Sequence, residues 1–197
     1  MALTSVLLPD AELLFDPHFL PPPEAQTLLT ELTTSIAWKH EPITLFGREV
    51  MQPRLTAWHG DAGASYRYSG LQLQPQPWTP TLLHLRQQVE AAAGTPFNSV
   101  LLNLYRSGQD SMGWHADDEP ELGPEPVIAS VTLGATRNFR LKPRHPHTTL
   151  HGPITLALTA GSLLLMRGPT QRCWLHALPK TARPVGPRLN LTFRLVR

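Results

Sequence analysis

Trp114-His115-Ala116-Asp117 places an imidazole and a carboxylate two residues apart. On a β-strand both side chains would project to one face, their Cα atoms roughly 6.6 Å apart by strand rise, and could converge on one metal ion. His-x-Asp tripeptides also arise by chance, so a third ligand is required. His176, just after Cys173-Trp174-Leu175, is the candidate. Two His and one carboxylate leave coordination positions open, the facial arrangement of non-haem Fe(II) oxygenases, and zinc fits the same donors. The other seven histidines (His18, His40, His59, His84, His145, His147 and His151) have no such spacing with an acid and read as surface or structural residues.

A second chemical signal lies near the C-terminus. In Arg188-Leu189-Asn190-Leu191-Thr192-Phe193-Arg194 polar and apolar residues alternate without a break, so Arg188, Asn190, Thr192 and Arg194 share one face of a strand. A sheet with one face in water gives the same alternation. If the polar face instead lines a cavity, two guanidiniums with no acid nearby in sequence make it an anion site. Asn103 and Tyr105 repeat the geometry within Val100 to Tyr105, offering an amide and a phenol to the same kind of wall.

These residues need elements to position them. Leu28, Leu29, Leu32 and Ile36 recur at helical spacing between Glu24 and about Trp38. A second helix opens at Thr79 and Pro80, presents Leu82, Leu85 and Val89, and stops at Gly94. Residues 1–23 read as irregular and 41–78 show no clear period. From Ser99 the pattern becomes strand-like: Ser99 to Tyr105, Val127 to Leu133, Ile154 to Leu158, Ser162 to Met166 and Leu189 to Leu195, separated by Gly and Pro. Helices followed by antiparallel strands predict a mainly β (α+β) sandwich or barrel with helices on one outer face.

Composition narrows the class. The 197 residues are 41% hydrophobic, enough for one domain with a sizeable core, and 21 prolines argue against a helix bundle. Cys173 is the one cysteine, which excludes intrachain disulfides and Cys-rich zinc sites. Apolar runs are too short to span a bilayer, and Met1 to Pro9 lacks the features of a secretory signal. A monomer with no membrane contact is expected, cytoplasmic or, in a eukaryote, nuclear. The net charge of +2 hides a split: residues 1–125 carry all 15 acids, while 126–197 carry 11 basic residues and none. A basic half suits a polyanion or an anionic small molecule, and Arg137, Arg140, Lys142 and Arg144 form the cluster expected to reach phosphates.

Taken in order, Asn103-x-Tyr105, His115-x-Asp117, His176 and Arg188-x-Asn190-x-Thr192-x-Arg194 resemble the AlkB-like Fe(II)/2-oxoglutarate dioxygenases. The segments His115-Ala-Asp-Asp-Glu119 and Ile128-Ala-Ser-Val-Thr-Leu-Gly134 add to the likeness. Gly60-Asp-Ala-Gly63 and Tyr66-Arg-Tyr-Ser-Gly70 resemble the branch that repairs alkylated double-stranded DNA. The resemblance runs from about Phe46 to the C-terminus. It implies a double-stranded β-helix (jelly roll) over about 96–197, preceded by a helical and nucleotide-recognition region over about 1–95, as one domain.

The resemblance also implies roles. His115, Asp117 and His176 would ligate Fe(II). Arg188 would pair with the distal carboxylate of the cosubstrate 2-oxoglutarate, helped by Tyr105 and Asn103, with Asn190, Thr192 and Arg194 along the same wall. The reaction would be oxidative demethylation of 1-methyladenine- and 3-methylcytosine-type bases, consuming O₂ and 2-oxoglutarate and yielding formaldehyde, succinate and CO₂. A methyl group on a pairing nitrogen makes a base cheaper to flip. Tyr68 would stack on that base, Tyr66 and Glu119 would bond its edge, and Phe46 would fill the gap left in the duplex. The loop after Arg144 is shorter and richer in Pro and His than in the duplex-specific branch, which leaves strand preference, and DNA against RNA, open. The same oxygenase chemistry on RNA, protein or a small molecule is the alternative, and a non-catalytic metal-binding jelly roll is a third reading.

Overall fold

The computed structural model describes residues 3–45, 47–64, 66–68, 71–145 and 152–197. The chain opens with β1 (Thr4–Val6) and β2 (Glu12–Asp16), then α1 (Pro22–Ser35). Five short strands follow: β3 (Pro42–Leu45), β4 (Arg48–Met51), β5 (Leu55–Gly60), β6 (Tyr66–Tyr68) and β7 (Leu71–Leu73). After α2 (Pro80–Ala93) come β8 (Ser99–Tyr105), β9 (Met112–His115), β10 (Ile128–Gly134), β11 (Arg137–Pro143), β12 (Ile154–Leu158) and β13 (Ser162–Arg167). The short helix α3 (Thr170–Cys173) leads into β14 (Trp174–Leu178), and β15 (Arg188–Arg194) ends the fold.

Two antiparallel sheets form a jelly roll. The larger has the order β1-β2-β13-β10-β15-β8-β5, the smaller β12-β11-β14-β9. Alternation along the strands divides the apolar residues into two cores. On the outer face of the large sheet, Val100, Leu102, Val131, Leu163, Leu191 and Phe193 pack against Leu28 and Leu32 of α1 and Leu82, Leu85 and Val89 of α2. Between the sheets, Ile128, Leu164 and Met166 meet Phe139, Leu141 and Trp174. The expected helices on one outer face are therefore present.

Helix α2 is bounded as its residues require. Thr79 Oγ1 accepts from the Leu82 N–H at 3.2 Å, and Gly94 takes a left-handed φ of 67°. Helix α1 stops at Ser35, short of Trp38, because Ile36 turns extended. The reading of residues 1–23 as irregular is corrected: β2 pairs with β13, Phe15 opposite Leu164. The strands within 41–78 correct the second silent stretch. Pairing with distant strands makes β2 and β5 strands, whereas β3 with β4 and β6 with β7 form local hairpins, and a period-2 pattern is too short to show in them. A third correction bears on the site. Strand β9 ends at His115, so Asp117 lies in a loop and not on the same strand.

Candidate metal and anion site

Strands β9 and β14 place His115 directly opposite His176. Their rings meet edge to face with centroids 4.2 Å apart. Asp117 Oδ2 lies 3.7 Å from His176 Nε2. One donor atom from each of His115, Asp117 and His176 falls within 4.8 Å of the others. Sequence reasoning chose these three, and the fold brings them together.

Their protonation suits metal binding. His115 Nδ1 lies 2.9 Å from the Gly113 carbonyl. A carbonyl only accepts, so Nδ1 donates to it and Nε2 is the ring nitrogen available to a metal. Burial, then the charge of His115, drives the His176 imidazole down to about 3, with Asp117 opposing and Arg194 assisting. His176 is therefore neutral near pH 7. Burial pushes the Asp117 carboxyl up, but the charges of Arg194, His176 and His115 and a hydrogen bond from Arg194 Nη2 outweigh it and hold it below the usual carboxylate range. Two imidazoles and one carboxylate form a donor set that fits Fe(II).

The polar faces of β15 and β8 lie beside this triad. Register pairs Arg188 with Tyr105 and Asn190 with Asn103. Arg188 is 2% exposed; Nη2 donates to Thr132 Oγ1 at 2.9 Å, a further side-chain hydrogen bond links it to Tyr105, and Nε is buried without a partner. Its guanidinium lies 5.3 Å from the Tyr105 ring centroid. Burial lowers its pKa to about 10, with Tyr105 favouring the charge and Arg137 opposing it, so the cation persists at neutral pH. Among the described residues no carboxylate acts on this buried guanidinium, and its unspent Nε donor is complementary to an anion. The alternation of β15 thus marks an inward polar face, not a solvated one.

The remaining wall residues are hydrogen-bonded within the fold. Asn190 Nδ2 donates to Ser130 Oγ at 2.8 Å, and Thr192 Oγ1 donates to Asn190 Oδ1 at 3.2 Å. Arg194 holds Asp117, and its own Nε is buried and unpartnered. Asn103 Oδ1 accepts from Arg54 Nε at 2.7 Å, and burial lowers the Arg54 pKa. Arg54 was not among the expected residues; it sits where no period is visible. Ser130 and Thr132 were also missed, although Ile128 to Gly134 alternates in the same way as β15. Gly134, at φ 81°, closes that strand where an added Cβ would lie 2.4 Å from the Pro187 carbonyl, and it pairs with Arg188.

The expected substrate residues divide. Phe46 lies outside the described residues, as do the side chains of Tyr66 and Tyr68, whose backbones form β6. Glu119 is half-buried, with Oε2 buried and unpartnered. The expected phosphate cluster is corrected. Arg137 is buried, and its guanidinium donates to the carbonyls of Ser107, Asp110 and Pro179. Arg144 pairs with Asp118 at 2.7 Å. Arg140 and Lys142 lie over the exposed Trp114 ring, at 5.8 and 4.6 Å from its centroid. Strand alternation separates them from Arg137. Among the described residues no helix is long and apolar enough to cross a membrane.

Comparison with known proteins gives concordant results. The family model described as the 2OG-Fe(II) oxygenase superfamily matches residues 12–194. The alpha-ketoglutarate-dependent dioxygenase alkB homolog 3 of Bos taurus is 41% identical over 186 residues, covering 91% of this chain and 64% of the relative. The DNA oxidative demethylase ALKBH2 of Homo sapiens is 43% identical over 160 residues, covering 78% of this chain and 60% of the relative. The chain thus spans somewhat under two thirds of the length of these relatives. The solved structure of OsALKBH1 superposes with a TM-score of 0.67 over 96% of this chain and 99% of the other, at 19% identity, a likeness of fold.

Proposed function

The chain belongs to the 2OG-Fe(II) oxygenase superfamily, as an AlkB-like member, and from that premise we propose that it is a dioxygenase that removes N-alkyl groups from DNA bases. The observation that carries this reading is the pairing of the His115–Asp117–His176 cluster with a buried Arg188 on the neighbouring sheet, on which no carboxylate of the described residues acts. A metal site alone would need no such cation. An anion site alone would need no triad.

In this reading His115, Asp117 and His176 hold Fe(II), and Arg188 pairs with the distal carboxylate of 2-oxoglutarate. Fe(II), O₂ and 2-oxoglutarate together supply the oxidising equivalent that hydroxylates the N-alkyl carbon. The resulting hemiaminal sheds formaldehyde. Tyr105 lies beneath Arg188 and orients it, while Arg54 fixes the Asn103 amide oxygen. Arg194 keeps the Asp117 carboxylate ionised and directed. Phe139, its ring centroid 5.2 Å from that of His176, excludes water from one side of that ligand.

Substrate roles follow the resemblance. Tyr68 stacks on the flipped base, Tyr66 and Glu119 bond its edge, and Phe46 fills the vacated stack. The buried, unpartnered Oε2 of Glu119 supports the assignment, because a base amine would satisfy it. Arg140 and Lys142 are assigned to backbone phosphates. The test is formaldehyde release with Fe(II), ascorbate and 2-oxoglutarate across single- and double-stranded oligonucleotides bearing 1-methyladenine or 3-methylcytosine, with methylated RNA and peptide alongside. Release on DNA supports the proposal; release on RNA or peptide alone overturns it.

A further inference from the structure

The three ligand side chains are not held in the same way. His115 and His176 face each other in the β9–β14 register, so the sheet ladder sets both. Asp117 lies two residues beyond the end of β9, in a stretch without regular structure. Its backbone N–H is taken by a side chain from 54 residues away: Gln171 Oε1 accepts it at 2.9 Å. Gln171 is 1% exposed and sits on α3. Its side-chain amide nitrogen faces Met166 Sδ at 3.5 Å, and its main-chain carbonyl accepts from Arg144 Nη1 at 3.5 Å. An N–H can only donate, so the amide oxygen must face Asp117 and the orientation of Gln171 is fixed.

We propose that Gln171 is a positioning residue of the metal site, fixing the Asp117 main chain so that its carboxylate meets the two imidazoles. The proposal rests on the reading of His115, Asp117 and His176 as a metal triad. Arg194 directs the Asp117 side chain, whereas Gln171 anchors the backbone from which it springs. Helix α3 runs directly into β14, which carries His176. One short segment therefore supplies one ligand and clamps another, and their separation depends little on the loop that follows β9. Without the amide oxygen the Asp117 N–H would be buried and unpaired, and the loop would shift to satisfy it.

The test is Mn(II) titration of the full chain by electron paramagnetic resonance, with the visible spectrum of the Co(II) form as a geometric readout. Gln171→Leu keeps the volume and removes the acceptor. Its Mn(II) Kd should rise by about 10- to 100-fold, the range for residues that orient metal ligands, with a changed Co(II) spectrum. Gln171→Asn, whose amide is withdrawn by one methylene, should show the same loss if the leucine variant fails to fold. Gln171→Glu restores an acceptor and should recover most of the affinity. Met166→Leu disturbs the same core but leaves the Asp117 bond, and should bind Mn(II) like the wild type even with a lowered Tm. Wild-type binding by Gln171→Leu, or an equal loss in Met166→Leu, overturns the proposal. Failure of the underlying reading shows separately, as unchanged Mn(II) binding by His176→Ala.

Discussion

Arg188→Met separates a functional cation from a structural one, because the two roles predict opposite changes. Burial lowers the Arg188 pKa well below the ordinary guanidinium range, to about 10, which at about 1.4 kcal/mol per tenfold change in proton affinity represents roughly 3 kcal/mol set against folding. The folded value lies below the unfolded one, so this cost is fully present below pH 10 and fades as pH rises above it. Methionine has comparable length and no charge. Without ligand the substitution should leave Tm unchanged or raise it, since exchanging buried ions for apolar groups is neutral or stabilising by roughly 1–4 kcal/mol. The side-chain bonds lost are those to Thr132 and Tyr105. With ligand the balance reverses. Truncating one side of a buried, hydrogen-bonded charge pair costs roughly 2–5 kcal/mol, so the 2-oxoglutarate Kd should rise by roughly 30-fold to several thousand-fold. Anaerobic calorimetry on the Mn(II) protein measures the affinity, and a thermal melt without 2-oxoglutarate measures the stability. A lowered Tm with unchanged affinity would refute the reasoning and make Arg188 a strut for Thr132.

Three further outcomes follow. Gly134→Ala forces a Cβ towards the Pro187 carbonyl at a positive φ; it should cost at least roughly 1–3 kcal/mol, read as a lowered Tm, and should weaken 2-oxoglutarate binding because Arg188 pairs with that residue. Arg140→Gln with Lys142→Gln should reduce the slope of log affinity against log salt by about 1.4 on single-stranded DNA, at about 0.7 per phosphate contact, with Tm unchanged. Arg137→Ala should do the reverse, leaving the salt slope intact while lowering stability by roughly 1–3 kcal/mol as three carbonyls lose their donor.

The legible parts of the molecule were those set by local chemistry. Thr79, Pro80 and Gly94 bound α2 because caps act through neighbouring residues. The unbroken alternation of β15 placed Arg188 and Arg194 on one face, and the choice between solvent and cavity needed the opposing sheet. The basic cluster misled for want of the same rule: in β11, Arg137 is odd-numbered and points inward with Phe139 and Leu141, while Arg140 and Lys142 point out. Within residues 1–23 and 41–78, β2 and β5 were opaque because they pair with strands far along the chain, while β3, β4, β6 and β7 form local hairpins of three or four residues, too short to show a period. Arg54 and Gln171 left no trace in the sequence for a related reason. Each acts through one hydrogen bond, to Asn103 and Asp117, that the fold alone creates.

The most direct measurement pairs two products in one reaction. A 1-methyladenine oligonucleotide is incubated with the protein, Fe(II), O₂ and 2-oxoglutarate, and both repaired adenine and succinate are quantified by mass spectrometry. The account predicts that each repaired base accompanies at least one succinate, that His176→Ala yields neither, and that Arg188→Met yields both only at greatly raised 2-oxoglutarate. Succinate formation with the methyl group left intact would contradict the substrate assignment. Base repair that persists in His176→Ala would contradict the site itself.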